Sequence, residues 1–106
     1  MDVGHSKARP GATSARGRPE YAFNWRLSNE LVDGLKRAPG VDGAFLVDPA
    51  QKGLALKQRA RRAVANGGDL LLSIHCNASH SHHSQGVETY FLAYDSASTE
   101  IAKLVE

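Results

Sequence analysis

The chain has 106 residues, 42% of them hydrophobic, and its 13 Lys and Arg against 11 Asp and Glu leave a net charge of +2. That length holds one domain or part of one, with a small core. The charges are too mixed for a nucleic-acid stripe, the single cysteine, Cys76, excludes an internal disulfide framework, and no segment approaches a transmembrane helix.

Asp2-Val3 reads as the tail of a strand. The run from Gly4 to Glu20, GHSKARPGATSARGRPE, is polar and broken by Pro10, Gly11, Gly17 and Pro19. It is longer than a compact domain keeps without a reason, so it is a candidate functional loop. Pro19 is expected to open a helix at its first position. Tyr21, Trp25, Leu27, Leu31 and Leu35 share one face of that helix through Arg37, and Ala38-Pro39-Gly40 ends it. Gly43 to Val47 is a short apolar strand. Leu54 to Asn66 is a second helix, stopped by Gly67-Gly68. The continuous apolar run Leu70 to Ile74 predicts a buried strand. Asn77 to Gln85 is a polar loop. Gly86 to Ala93, GVETYFLA, has the β-branched and aromatic residues of a strand. Ser96 to Glu106 starts a third helix, capped by Ser96 or Ser98.

The order β-loop-α-β-α-β-β-α predicts an α/β fold, a mixed and mostly parallel sheet with helices on both faces. The chain opens on the end of a strand and stops inside an uncapped helical pattern, so the fold is expected to be truncated at both ends. The first residues also lack the basic-then-apolar pattern of a secretory signal.

Sites in such sheets gather at the carboxyl ends of strands. His5 follows the first predicted strand and His75 follows the third, so both fall on that edge. Two such histidines suggest a metal, and a catalytic zinc usually takes three protein ligands while keeping one position for water. Glu20, in the first turn of the first helix, suits the positive end of the helix dipole and is the candidate third ligand.

The segments DVGHS, PGA and RGRPEYAFN resemble the opening of the zinc-dependent N-acetylmuramoyl-L-alanine amidases of the cell wall. Leu56, Arg59, Ala65-Asn66 and Asp69 resemble a further stretch of that family, SIHCNA its third motif, and GVETYF the strand that follows. The match runs in order over nearly the whole chain. The resemblance implies that residues 1–106 are the N-terminal portion of a single amidase catalytic domain. It implies that His5, Glu20 and His75 hold Zn2+, and that the substrate is peptidoglycan, cut at the amide between N-acetylmuramic acid and L-alanine. An extracytoplasmic site of action, in the periplasm or cell wall or delivered by a phage, is expected from that substrate. Neither nucleic acid nor stable membrane insertion is expected.

The family also has a late glutamate acting as general base and acid. KLVE follows GVETYF too closely to supply it, so Glu106 is not assigned that role and the base is expected beyond the chain end. The alternative function is a non-catalytic, zinc-holding, cell-wall-binding module, and a third reading is an α/β binding domain without metal.

The remaining residues carry weaker signals. Asn77 points back to the face of His75 and is a candidate substrate contact. Glu88, on the next predicted strand, is either a second carboxylate near the metal or a surface residue. Cys76 is expected to be a small buried hydrophobe facing away from His75. Arg59 is expected to pair with Asp69 or a loop carbonyl, and Trp25 to sit in the core. His80, His82 and His83 belong to a solvated loop rather than a second metal cluster. The segment Ser79 to Gln85 is too short to hold a helix that blocks the site.

Overall fold

A computed structural model describes residues 1–79, 81 and 83–91. The chain divides into two compact units, Met1–Cys76 and Asn77–Glu106. The first unit holds β1 (Asp2–Val3), α1 (Glu20–Leu35), α2 (Leu56–Ala65) and β2 (Ser73–Ile74). The α/β class expected from the sequence is therefore present, built from two helices and a small parallel sheet.

β1 and β2 pair in parallel, with Asp2 opposite Ser73 and Val3 opposite Ile74. The ladder extends by one bond at each end, since the Asp2 N–H donates to the Leu72 carbonyl at 2.7 Å and the Gly4 N–H to that of Ile74 at 2.9 Å. Gly43 to Val47 does not form a full strand. It makes one rung beside β1: the Met1 amino group donates to the Phe45 carbonyl at 2.8 Å, and the Val47 N–H to that of Met1 at 2.9 Å. These bonds bracket Leu46 in the manner of a parallel pair.

The Leu70–Ile74 run is only partly a strand, and it is not buried. Leu70, Leu71 and Leu72 are all exposed. Within the first unit β2 is hydrogen-bonded along one edge only, to β1, so its apolar residues lack the covering that a central strand would have.

α1 begins one residue later than expected. Pro19 is the N-cap, held extended (φ −71°, ψ 144°) by a bridge to Thr13, and Glu20 takes the first helical position. The buried face of α1 also differs from the apolar stripe. Glu20, Tyr21, Asn24, Ser28 and Val32 are buried, whereas Trp25, Leu27, Leu31 and Leu35 are half-buried. This face packs on β1 and β2.

α2 ends as the two glycines predict. Gly67 adopts φ +72° and the Gly68 N–H returns to the Ala63 carbonyl at 2.9 Å, closing the last turn. At the start of α2 the Gln58 side chain accepts the Ala55 N–H at 3.0 Å. Arg59 ties α2 to the sheet. Its Nη1 donates to both carboxylate oxygens of Asp2 (3.3 and 3.4 Å) and to the Val3 carbonyl (3.2 Å). Its Nε donates to the Leu54 carbonyl at 2.7 Å. The expected carbonyl contact is present, but the acidic partner is Asp2 rather than Asp69. Asp69 precedes β2, whereas Asp2 lies on β1, the strand that the Arg59 guanidinium reaches.

In the second unit, the described residues among 77–85 form neither helix nor strand, as expected of a polar loop, with Ser79 Oγ and Ser84 Oγ 3.0 Å apart and the Ser81 N–H donating to Ser79 Oγ. Residues 86–91 are not a strand, and Val87 and Phe91 are exposed. β-branched and aromatic content favours a strand only where a partner supplies the ladder bonds. The predicted helix from Ser96, along with His80 and His82, lies outside the described residues.

Candidate metal centre

Three elements converge at the carboxyl edge of the parallel pair. β1 delivers His5, the start of α1 delivers Glu20, and β2 runs directly into His75. One ligand atom from each lies within 4.8 Å of the other two. His5 Nε2 is 3.2 Å from Glu20 Oε2, and His75 Nδ1 is 3.5 Å from Glu20 Oε1. The imidazoles meet edge to face, with centroids 5.0 Å apart.

The backbone is shaped around this cluster. His5 holds φ +64°, a left-handed conformation that is costly for a residue with a Cβ and that concentrates at functional sites. The turn is closed by Ser6 and Arg9, which exchange backbone bonds of 3.0 and 3.1 Å. Two glycines allow the close approach. A Cβ on Gly4 would collide with the Ile74 carbonyl and lie 2.7 Å from His75 Nδ1. A Cβ on Gly11 (φ +75°) would lie 2.6 Å from His5 Cδ2 and 2.7 Å from Glu20 Oε2.

The Glu20 carboxylate is buried and well supplied with donors. It accepts the Cys76 N–H at 2.7 Å, the Ala12 N–H at 3.1 Å and the Asn24 amide at 3.4 Å. Burial pushes the Glu20 carboxyl up. The Cys76 and Ala12 N–H groups, the Asn24 amide and His5 together outweigh burial and leave the pKa below its ordinary value. His75 is shifted down, first by burial and then by His5, against partial opposition from Glu20 and Asp2. The site therefore presents an ionised carboxylate beside a neutral imidazole, the protonation states that bind metal. Burial and Glu20 push the Cys76 thiol up, which keeps it protonated and unfit as a ligand or nucleophile.

The donor set fits a metal ion. Tetrahedral zinc with N and O ligands at about 2.1 Å requires donor separations of about 3.4 Å. His5 Nε2 to Glu20 Oε2, at 3.2 Å, and His75 Nδ1 to the other oxygen, Glu20 Oε1, at 3.5 Å, each lie at about that spacing, and with one atom taken from each residue all three lie within 4.8 Å. His75 Nδ1 is buried and has no hydrogen-bond partner, an expense that a cation between the three groups removes.

Two residues important to this arrangement lie within the motifs PGA and RGRPEYAFN but do not stand out there as site residues. Asn24 is fully buried and its amide bridges Glu20 to the Gly4 carbonyl (3.2 Å), one residue before His5. Its marks in the sequence are its place at the end of RGRPEYAFN and a polar side chain one helical turn after Glu20. Gly11, in PGA, reads in the sequence as a loop breaker, and its contact with His5 and Glu20 appears only in the structure. Of the other candidates, Asn77 opens the second unit, and Glu88, further along that unit, accepts the Tyr90 hydroxyl at 2.7 Å. His83 is exposed.

An α/β fold that brings two histidines and a glutamate to the carboxyl edge of a parallel strand pair defines a protein with a two-histidine, one-carboxylate metal-site geometry. The sequence is more specific. The family model described as N-acetylmuramoyl-L-alanine amidase matches residues 1–106, and the chain belongs to that family. It is 35% identical over 91 residues to the uncharacterized protein YqiI of Bacillus subtilis (strain 168), covering 86% of this chain and 42% of YqiI. The catalytic domain of CwlV, an N-acetylmuramoyl-L-alanine amidase from Bacillus (Paenibacillus) polymyxa var. colistinus, superposes with a TM-score of 0.68 at 31% identity. That match covers 78% of this chain and 46% of CwlV's. The chain thus spans less than half the length of these relatives.

Proposed function

We propose that this chain is the N-terminal, metal-holding portion of a zinc-dependent amidase domain acting on peptidoglycan. The bond cut is the amide joining N-acetylmuramic acid to L-alanine. The observation that carries this reading is the convergence of His5, Glu20 and His75 within 4.8 Å. Membership of the amidase family supports it.

His5 Nε2, His75 Nδ1 and a Glu20 carboxylate oxygen would hold the ion. Bound zinc would supply a Lewis acid for the amide carbonyl and a nucleophilic water near neutral pH. The chain's own residues prepare for it. Glu20 stays ionised because backbone N–H groups of Cys76 and Ala12 hold it. His75 stays neutral because it is buried. The His5 turn aims its ring at Glu20. In this reading Asn77 touches substrate, and the general base is a glutamate beyond Glu106. Action on peptidoglycan would take place outside the cytoplasmic membrane. No helix among the described residues is long and apolar enough to cross a membrane.

A second reading, a zinc-holding wall-binding module without hydrolysis, is favoured by one observation. Among the described residues, Glu20 is the only carboxylate in the cluster, which leaves none there to act as base. Elemental analysis of the purified chain and of His75→Ala tests the metal. About one zinc per chain is expected, lost in the variant. A folded parent chain without zinc sinks both readings. Release of peptide from a muramoyl peptide by a protein extended past Glu106, with zinc retained, separates the enzyme from the module.

A further inference from the structure

The loop leading to the cluster has an unusual charge. Between Asp2 and Glu20 there is no acidic residue, but there are Lys7, Arg9, Arg16 and Arg18. All four are exposed, and among the described residues none has a carboxylate within 4.0 Å. Elsewhere Arg26 lies 3.8 Å from Glu30 and Arg59 is held by Asp2, while Lys36, Arg37, Lys52, Lys57, Arg61 and Arg62 are exposed with no carboxylate within 4.0 Å among the described residues; what sets this loop apart is that its four cations fall in one stretch without an acidic residue.

These side chains are carried on backbone fastened to the cluster. The Ser14 N–H donates to the Arg18 carbonyl at 2.9 Å, and the Arg18 N–H returns to Ser14 Oγ at 3.1 Å. The Ala12 N–H ends on the Glu20 carboxylate, and the Glu20 N–H donates to the Ala12 carbonyl at 2.7 Å. Arg9 lies two residues before Gly11, which abuts the His5 ring, and Arg18 lies two before Glu20 itself. A run of cations on backbone fastened to a site that collects a cation is unfavourable for the metal. The arrangement makes electrostatic sense if an anion shares the site.

We propose that this loop is a recognition rim for the carboxylates of the peptide attached to the scissile amide, with Arg9 and Arg18 as the principal contacts. The inference rests on the amidase reading and names the part of the substrate that fixes its register. The guanidinium fork matches a carboxylate in two-point geometry. Exposed pairs of this kind contribute modestly each, so two together set a preference of about tenfold.

The test is binding of two synthetic muramoyl peptides to the full, zinc-loaded chain. One carries free carboxylates and the other has them converted to carboxamides. The parent is expected to bind the carboxylate form about tenfold more tightly, and 0.5 M salt, at roughly a 4 Å screening length, is expected to erase most of the difference. Arg9→Gln/Arg18→Gln is expected to bind both alike, with its zinc content unchanged. Lys57→Gln/Arg61→Gln, which removes equal charge from exposed positions of α2, is expected to keep the preference. Equal binding of both peptides by the parent overturns the rim and leaves the substrate reading standing. Binding of neither overturns the substrate reading and the rim with it. A preference that survives in the Arg9/Arg18 variant assigns it to other residues and refutes the proposal. So does retention on a purified phosphate-rich wall polymer without discrimination between the peptides.

Discussion

The amide of Asn24 touches both sides of the candidate metal centre, so its removal should damage metal affinity more than stability. Its Nδ2 donates to the Gly4 carbonyl at 3.2 Å and to Glu20 Oε1 at 3.4 Å, from a side chain with 0% exposure. Asn24→Leu keeps comparable volume and deletes both donors. The buried Gly4 carbonyl then loses a partner, at a cost of about 1–3 kcal/mol. Against this, Asn24 Oδ1 is buried without a partner in the parent, and leucine removes that burden. The two effects are of similar size, leaving a net destabilisation of about 0–2 kcal/mol. At about 4–8 °C per kcal/mol for a unit of this size, metal-free Tm should fall by no more than about 15 °C.

Metal affinity has no such compensation. The Gly4–His5 turn and the Glu20 carboxylate both lose the contact that sets their relative position, and groups that orient ligands typically account for about 10–100-fold in affinity. Competition for zinc with a chromophoric chelator measures this, alongside thermal unfolding of the metal-free protein. Ser28→Ala is the control. It lies one turn further along the same face, with 0% exposure and an unpartnered Oγ, and it touches neither ligand. Its affinity should stay within about twofold of the parent. An unchanged affinity in Asn24→Leu would refute the positioning argument. So would an equal loss in Ser28→Ala, because the effect would then be loosening of the helix face in general.

Two further outcomes follow from the same contacts. Arg59 and Asp2 form a pair with side chains only 12% and 6% exposed, so Arg59→Ala should destabilise the chain by about 3 kcal/mol in urea unfolding. Arg59→Lys should recover less than half of that, since an ammonium cannot span Asp2, the Val3 carbonyl and the Leu54 carbonyl; a loss well under 1 kcal/mol for Arg59→Ala would refute the pair's role, by the usual ~3–5 kcal/mol for breaking a buried pair. The pH dependence of the metal-free protein has a definite sign. Both Glu20 and His75 have folded pKa values below their ordinary 4.5 and 6.5, so the unfolded chain binds more protons in each window. Their contribution is fully present above the unfolded values and is lost as pH falls, first below 6.5 for His75 and then below 4.5 for Glu20. Chemical denaturation across this range should show stability falling with acidity, and His75→Phe should flatten the upper part. Stability that rises on acidification would contradict the burial of His75.

The convergence of the three candidate ligands was legible in the sequence because each marks an element boundary. His5 follows a strand, Glu20 starts a helix, and His75 ends an apolar run, while the motif resemblance placed all three in one site. What the sequence concealed was pairing. GVETYF has strand composition, but composition does not supply a neighbour, and residues 86–91 are not a strand. Gly43 to Val47 obtains a single rung beside Met1 for the same reason. Arg59 was legible as structural, but its partner was not, because Asp2 and Asp69 are equivalent as charges and only the fold decides which one the guanidinium reaches.

The buried face of α1 shows the same limit from the other direction. Periodicity selects Tyr21, Trp25, Leu31 and Leu35, yet the residues at 0% exposure are Asn24 and Ser28. The cause is Glu20. Once its carboxylate is turned toward His5 and His75, the side chains one and two turns later face the same way, since positions four apart share a helix face. At that face α1 meets the Gly4 turn, where space is so short that Gly4 itself has no room for a Cβ. A leucine at position 24 would fill the volume but leave the Gly4 carbonyl and the Glu20 carboxylate each short of a donor. The helix therefore buries an amide and a hydroxyl where its own apolar pattern would place leucines. It carries two unpartnered polar atoms there, Asn24 Oδ1 and Ser28 Oγ, because the first turn is committed to the cluster of Glu20 with His5 and His75.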